Sequence, residues 1–402
     1  MTVVMKFGGT SLATAHLRDC AAERVREARE SGQRIVVVVS AMGRLGEPYA
    51  TDTLLRLLEG FCRTPAREID ALTACGEEIS AAYFAALLND RGVKAVSLRG
   101  SQAGIITNGA HGDAEIREIR IAPILDHLNR GEVVVVAGFQ GVTDDGEVTT
   151  LGRGGSDTTA VALAAALPDA RAEIYTDVDG VLSADPRVVD GARAVEEVTY
   201  EESAELARKG ARVLHPRAAE RARASGVAVE IRNTCGPSPG TRLVPDEGRW
   251  SDDRELPPRT TAVTSIGQIA QVVVAGERFF EDPARLENVF ARVAARGISL
   301  DMLSIGADQA AFTVAGARAP EISEALADLD LTVRINPACS KVTLVGGGIH
   351  GIPGVMHRMV RALARAGIGI HQSVDSNMII SVLVDADREE DAVRALHAEF
   401  FG

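Results

Sequence analysis

Short Val- and Ile-rich runs alternate with long amphipathic or Ala-rich stretches through residues 1–234, and this alternation constrains the fold more than any other feature. The runs are Val3–Phe7, Ile35–Val39, Val133–Ala137 and Glu173–Thr176, flanked by Gly, Asp or Ser. Between them lie stretches of helical character such as His16–Glu30, Ile69–Leu88 and Thr158–Leu167. Strand–helix alternation of this kind predicts an α/β fold, a mainly parallel sheet with helices on both faces.

The pattern breaks at 235–261, where five of the 15 prolines fall together with Gly236, Gly240 and Gly248. This reads as a linker, with Trp250 inside it. Beyond it the chain repeats itself with a period of 70: Ala270–Gly276 matches Ser340–Gly346, Val293–Leu300 matches Leu363–Ile370, and Ala311–Val314 matches Ser381–Val384. Three blocks in one register predict two small βαββαβ units, 262–330 and 331–402, and units this small usually pair to bury their faces.

Composition excludes several classes. With 46% hydrophobic and 25% charged residues the chain is globular. A net charge of −13 argues against general nucleic-acid binding and requires any anionic ligand to be met by local cations and backbone N–H groups. No apolar run reaches the ~18 residues of a membrane span. No signal peptide is visible, and the scattered cysteine usage points to a reducing cytosol. Five cysteines (Cys20, Cys62, Cys75, Cys235, Cys339) without CxxC spacing predict neither a disulfide framework nor a zinc site.

Several segments carry potential chemistry. Lys6-Phe7-Gly8-Gly9-Thr10-Ser11 follows a strand and opens a helix; it is either a plain β–α turn or a phosphate cradle in which Lys6 adds a cation. Thr150–Thr159 places Arg153 beside two glycines, open for a bidentate grip on a carboxylate or phosphate, while Ser156 or Asp157 can cap the next helix. Tyr175–Gly180 and Ala184–Arg187 end a strand in polar residues, where α/β sheets bind ligands, but Asp-Gly and Asp-Pro are also ordinary turn chemistry. In Gly210–Arg217, His215 reads as structural and Arg212 as the ligand candidate. Glu77, placed at the start of a helix, is either a first-turn acid or an anchor for an ammonium group. Gly346–Gly351 fits GxGxxG, but too few residues follow for a dinucleotide-binding half.

Together these segments resemble the aspartokinase branch of the amino acid kinase family. The resemblance rests on Lys6–Ser11, Ser40-Ala-Met-Gly43, Gly76-Glu77, Gly152–Thr158, Tyr175–Asp177, Asp185–Arg187 and Gly210–Pro216, and on tandem ACT domains after a linker. It implies an amino acid kinase fold over 1–234, a linker over 235–261, and ACT domains over 262–330 and 331–402. It further implies ATP-dependent phosphorylation of L-aspartate to 4-phospho-L-aspartate, the first step toward lysine, threonine and methionine, with Mg²⁺. By position, Lys6 neutralises the transferring phosphate, Arg153 holds the substrate α-carboxylate and Glu77 its α-ammonium. Ser40, Thr51 (or Thr53), Ser156 and Asp157 line the same site. Phe7, Gly8, Gly9, Thr176, Asp177, Arg187 and Arg212 contact nucleotide, and no resident metal ligand is implied.

The 44–50 insertion is similar to that of diaminopimelate-sensitive isozymes of Gram-positive bacteria. A homodimer at least, with an amino-acid effector (meso-diaminopimelate or lysine) near Asp301, Val355, Met356, Asp375 and Ser376, follows from the resemblance. A glutamate, carbamate or uridylate kinase, or an inactive ACT sensor, are the competing readings.

Overall fold

The computed structural model describes residues 1–211, 214–246, 259–276, 283–349 and 352–402. Two compact units emerge.

The first unit contains β1 (Thr2–Phe7), α1 (Ala15–Glu30), β2 (Arg34–Val39), α2 (Thr51–Arg56), α3 (Ala66–Asp90), β3 (Ala95–Leu98), β4 (Ile105–Thr107), β5 (Ile116–Ile119) and α4 (Ala122–Asn129). It continues with β6 (Val133–Ala137), β7 (Gln140–Val142), β8 (Val148–Thr150), α5 (Gly155–Ala166), β9 (Ala170–Thr176), β10 (Glu197–Thr199), α6 (Tyr200–Arg208), α7 (Pro216–Ser225), β11 (Val229–Asn233) and β12 (Thr241–Val244). An eight-stranded sheet runs β10-β12-β11-β9-β1-β2-β6-β3, and only the β11–β12 pair is antiparallel. A smaller sheet, β5-β4-β7-β8, lies beside it in sequence.

The central strands are buried on both faces, which is why they read as unbroken apolar runs. Phe7, Phe84, Leu88, Val37 and Val135 form the core on one face, with Phe7 and Phe84 rings 5.9 Å apart. Helix α3 is long and apolar enough to cross a membrane by composition, yet it buries Asp70, Glu77, Phe84 and Leu88 as a core helix.

The second unit contains β13 (Arg259–Ala275), α8 (Pro283–Ala295), β14 (Asp301–Ile305), β15 (Gln309–Ala315), α9 (Ala319–Leu326), β16 (Thr332–Gly347), α10 (Val355–Arg365), β17 (Gln372–Ser376), β18 (Ile379–Asp385) and α11 (Glu389–Phe401). Its six strands form one antiparallel sheet, β14-β15-β13-β16-β18-β17. The two repeats are not laid end to end: the first half of β13, Arg259–Ile266, pairs with the second half of β16, and Ile269–Ala275 pairs with its first half. Each copy thus shares its long strands with the other. Two apolar clusters result, one around Phe312 and Val272, the other around Leu344 and Val382.

Three expectations are corrected. Part of the expected linker is sheet, because Thr241–Val244 alternates inward Thr241 and Leu243 with outward Arg242 and pairs with β11. The residues around Trp250 lie outside the described set. Residues Leu182–Arg193, earlier than that linker, belong to the second unit: Ala184 joins its core, with Val188, Val189 and Ala192 against it. There Val263 donates its N–H to the Ser183 carbonyl at 2.8 Å, and Ser183 Oγ lies 2.9 Å from His397 Nε2. Finally, Cys20 and Cys235, 215 positions apart, are joined by a disulfide, because the fold brings α1 beside the loop after β11.

Phe84 fills the middle of the first core with no exposed surface to speak of. Phe84→Ala should cost about 3–5 kcal/mol, read as a lower denaturant midpoint; an unchanged midpoint would contradict this packing.

Candidate active site

β1, β2, β6 and β9 end together, since they are parallel neighbours in register, and the polar residues after them converge. This is where parallel α/β sheets bind ligands. A cleft of about 430 Å³ opens there, lined by Lys6, Ser40, Thr51, Asp52, Asp70, Thr73, Glu77, Gly112, Thr150 and Gly152–Asp157.

Lys6 is the penultimate residue of β1, and its Nζ lies 2.7 Å from Asp157 Oδ1 in the first turn of α5. Asp157 Oδ2 accepts the His215 N–H at 3.2 Å. The loop entering α5 turns sharply at Gly154, with φ of 72°. A Cβ there would lie 2.0 Å from His215 Cγ, so only glycine fits. That geometry sets the first turn of α5 in the cleft lining, and a helix N-terminus is a ready anion site. His215 caps α7, its ring accepting the Arg217 N–H, as the structural reading of this residue expects. Arg153 is exposed at the rim and pairs with no carboxylate among the described residues.

Glu77 is the second anchor. It lies three turns into α3, not at a helix start, so the first-turn reading is excluded. One carboxylate oxygen accepts the Ala41 N–H at 3.0 Å; the other, buried, has no hydrogen-bond partner. Burial pushes this carboxyl up to about 8, opposed only by backbone hydrogen bonds. A buried oxygen without a partner carries a cost that a donor or a cation in the cleft would relieve.

Of the anticipated site residues, the cleft gathers Lys6, Ser40, Thr51, Glu77, Arg153, Ser156 and Asp157. Gly8 and Gly9 follow Lys6, and a Cβ on Gly9 would lie 2.3 Å from the Ala41 carbonyl oxygen. Phe7 points its side chain into the core, stacked on Tyr175 at 4.7 Å, and offers a ligand only backbone. Thr176 and Asp177 stand at the end of β9, the strand next to β1, outside the cleft lining. Arg187 belongs to the second unit, where it pairs with Asp185 at 2.6 Å. Arg212 lies outside the described residues.

In the second unit Asp301 pairs with Lys341, whose side chain is buried. Val355 is buried at the first turn of α10, Met356 packs on the same core, and Asp375 and Ser376 are exposed on β17.

Asp70 is a residue the sequence reading missed. Fully buried, it accepts the Gly112 N–H at 3.0 Å and the Thr150 hydroxyl at 2.5 Å, with His111 Nδ1 2.8 Å away. It thereby ties the 108–113 loop and β8 to α3. The available signal was its position seven residues before Glu77, two helical turns along the same face.

Folding raises the Glu77 carboxyl from its ordinary value of 4.5 to about 8, so in that window the folded chain holds a proton that the unfolded chain has lost. This group's contribution is fully present at low pH and is lost as pH rises, by up to about 1.4 kcal/mol per pH unit. Glu77→Gln removes the slope: its thermal midpoint should gain on wild type between about pH 5 and about pH 8. A constant difference across that range would refute the burial account.

The comparisons with known proteins agree with this geometry. Residues 1–233 match the model of the amino acid kinase family, and residues 342–400 that of an ACT domain. The chain is 41% identical to Aspartokinase 1 of Bacillus subtilis over 99% of this chain and 98% of that protein. It is 40% identical to an aspartokinase of Mycolicibacterium smegmatis, over 99% of this chain and 96% of that one. Among solved structures, Escherichia coli aspartokinase III in complex with aspartate and ADP superposes with a TM-score of 0.76 at 27% identity, covering 100% of both chains. Clostridium acetobutylicum aspartate kinase, at 22% identity and a TM-score of 0.81 over 99% of this chain and 100% of that one, shares the fold. The chain belongs to the aspartokinase branch of the amino acid kinase family and is, with it, a phosphotransferase.

Proposed function

We propose that the chain transfers the γ-phosphoryl group of ATP to the β-carboxylate of L-aspartate, giving 4-phospho-L-aspartate. One observation carries the reading: Glu77, one of whose oxygens is buried without a partner, lines the same cleft as Arg153, Lys6 and the start of α5. An amino acid has an ammonium for the first, a carboxylate for the second, and a reacting carboxylate to be turned toward the last two.

The acceptor carboxylate has an ordinary pKa near ~3.9 and is ionised at neutral pH. No general base is needed, and His215 is committed to capping α7. The task is to bring an anion to a polyanion, by positioning and charge neutralisation. Lys6, held by Asp157, supplies positive charge where the phosphoryl group passes, and the α5 N–H groups cradle its oxygens. Ser40, Thr51 and Ser156 offer hydroxyls to the substrate. Thr176 and Asp177 receive the nucleotide at the neighbouring strand end, with Arg212 as a further contact. Mg²⁺ bound with the ATP phosphates would supply further charge neutralisation.

The reaction opens synthesis of lysine, threonine and methionine in the cytoplasm, and the second unit is the feedback sensor of a homodimer at least. Its effector is meso-diaminopimelate, a reading supported by the 44–50 insertion and the intact Pro353-Gly354 turn before α10; lysine is the alternative. The Escherichia coli relative has been solved with lysine and aspartate, at a TM-score of 0.78.

ADP release coupled to NADH oxidation, with MgATP and L-aspartate, L-glutamate or no acceptor, tests the reaction; turnover with glutamate and none with aspartate would overturn it. Meso-diaminopimelate should inhibit in the same assay, and inhibition by lysine alone would reassign the effector. Arg153→Ala should raise the aspartate KM by about 30-fold, the ~2 kcal/mol of a charge-assisted pair, with ATP affinity nearly unchanged. Unaltered aspartate kinetics would remove Arg153 from its role.

A further inference from the structure

The Cys20–Cys235 pair sits outside the cleft, and the reaction makes no use of it. Cys20 lies on α1 and Cys235 in the loop after β11, with Cα atoms 5.2 Å apart, within the usual disulfide range. Cys235 is exposed and Cys20 partly so, so both are within reach of small thiols. His16 stands one helical turn before Cys20, its Nε2 3.8 Å from Cys20 Sγ. The sulfurs and this imidazole lie within 4.8 Å of one another. An imidazole beside a thiol is the setting in which cysteine becomes a reactive thiolate.

What the loop holds gives the pair a consequence. Asn233 donates to Asp179 Oδ1 at 2.7 Å, while its side-chain oxygen accepts the N–H groups of Cys235 and Gly236 at 2.9 and 2.8 Å. Thr234 donates its N–H and hydroxyl to the Thr176 carbonyl at 2.9 and 3.0 Å. Ser238 donates to the Asp179 carbonyl at 3.0 Å. The loop is therefore the support of the turn 176–179, the strand end assigned above to nucleotide. Arg24 of α1 also grips it, through the Thr234 and Gly236 carbonyls.

We propose that Cys20 and Cys235 form a reversible thiol–disulfide site, operated by low-molecular-weight disulfides, whose oxidised state orders the 233–238 loop and with it the nucleotide edge. The proposal rests on the placement of nucleotide at Thr176 and Asp177.

The exchange balances as follows. Cys20 gives its proton to His16, and the thiolate attacks one sulfur of RSSR. The second sulfur leaves as RS⁻ and takes the proton from His16, giving RSH and a mixed disulfide on Cys20. Cys235 then attacks Cys20 Sγ and loses its proton to the departing RS⁻. RSSR is reduced to two RSH while the two cysteines are oxidised; reduced thiol in excess runs the sequence backward. Oxidation fixes the loop to α1, so less ordering remains to be done when nucleotide binds.

The full-length protein would be equilibrated with reduced or oxidised glutathione, freed of it, and alkylated under denaturing conditions that also expose the buried Cys339. Mass spectrometry should count five modified cysteines in the reduced form and three in the oxidised form. The oxidised form should show a KM for MgATP lower by about threefold or more, as pre-ordering implies, with kcat and aspartate KM little changed. Cys20→Ser and Cys235→Ser should each stay at the reduced value in both conditions. His16→Ala should slow oxidation without moving either end value. Equal ATP KM in the two mass-verified states would overturn the proposal. So would failure of oxidised glutathione to form the bond, or tight stoichiometric binding of added Zn²⁺ that alone protects the pair, which would make it a metal site. ATP titration calorimetry on both forms keeps the test independent of the aspartate reaction: absence of aspartate turnover in either state would count against that reaction, and only a redox-independent ATP affinity against the switch.

Discussion

The ion pair between Lys6 and Asp157 joins the carboxyl end of the central strand to the amino end of the helix that follows Gly154, and the cleft is built around that junction. The chain carries a net charge of −13, so its overall field repels both ATP and an acidic amino acid. Binding two anions together therefore depends on charge concentrated locally. Parallel topology supplies it: neighbouring strands end on one side, and the backbone N–H groups of α5 add to the lysine. Asp157 holds Lys6 in place, and both side chains are mostly shielded from water, at 13% and 12% exposure.

Glu77 complements this with a buried carboxyl that keeps its proton in the empty cleft near neutral pH. Its buried carboxyl is poorly satisfied in the empty cleft, a local cost that a bound ammonium relieves. On the proposed reading, an α-ammonium would supply the partner that this carboxyl lacks. Asp70, two turns earlier, plays the contrasting part: every bond it accepts is internal, and it fixes the loop and strand that wall the cleft.

Much of this was legible in the sequence. Ile35–Val39 and Val133–Ala137 are buried on both faces, and such strands declare themselves as continuous apolar runs. Gly152–Asp157 stood out as an arginine among glycines, and the structure places that segment in the cleft lining. The shared strands of the C-terminal repeat were not legible: a period of 70 identifies two copies but not which half of β13 pairs with which half of β16. Nor was the placement of Leu182–Arg193, whose spaced Ala184, Val188 and Val189 are apolar enough for any core and are claimed by a partner far along the chain. The same limit hid the Cys20–Cys235 contact, since residues 215 apart meet only through tertiary structure. One connection follows from the covalent chain alone: the strand end bearing Thr176 and Asp177 leads directly into a segment packed in the C-terminal unit.

The central claim is that the buried Glu77 carboxyl receives the substrate ammonium, and proton release on binding tests it most directly. L-aspartate would be titrated calorimetrically into the protein at neutral pH, in buffers of differing ionisation enthalpy. Because the empty site holds Glu77 near about 8, pairing with an ammonium should expel up to one proton per site, and Glu77→Gln should abolish that release. Aspartate binding with no proton released by the wild-type protein would contradict the account.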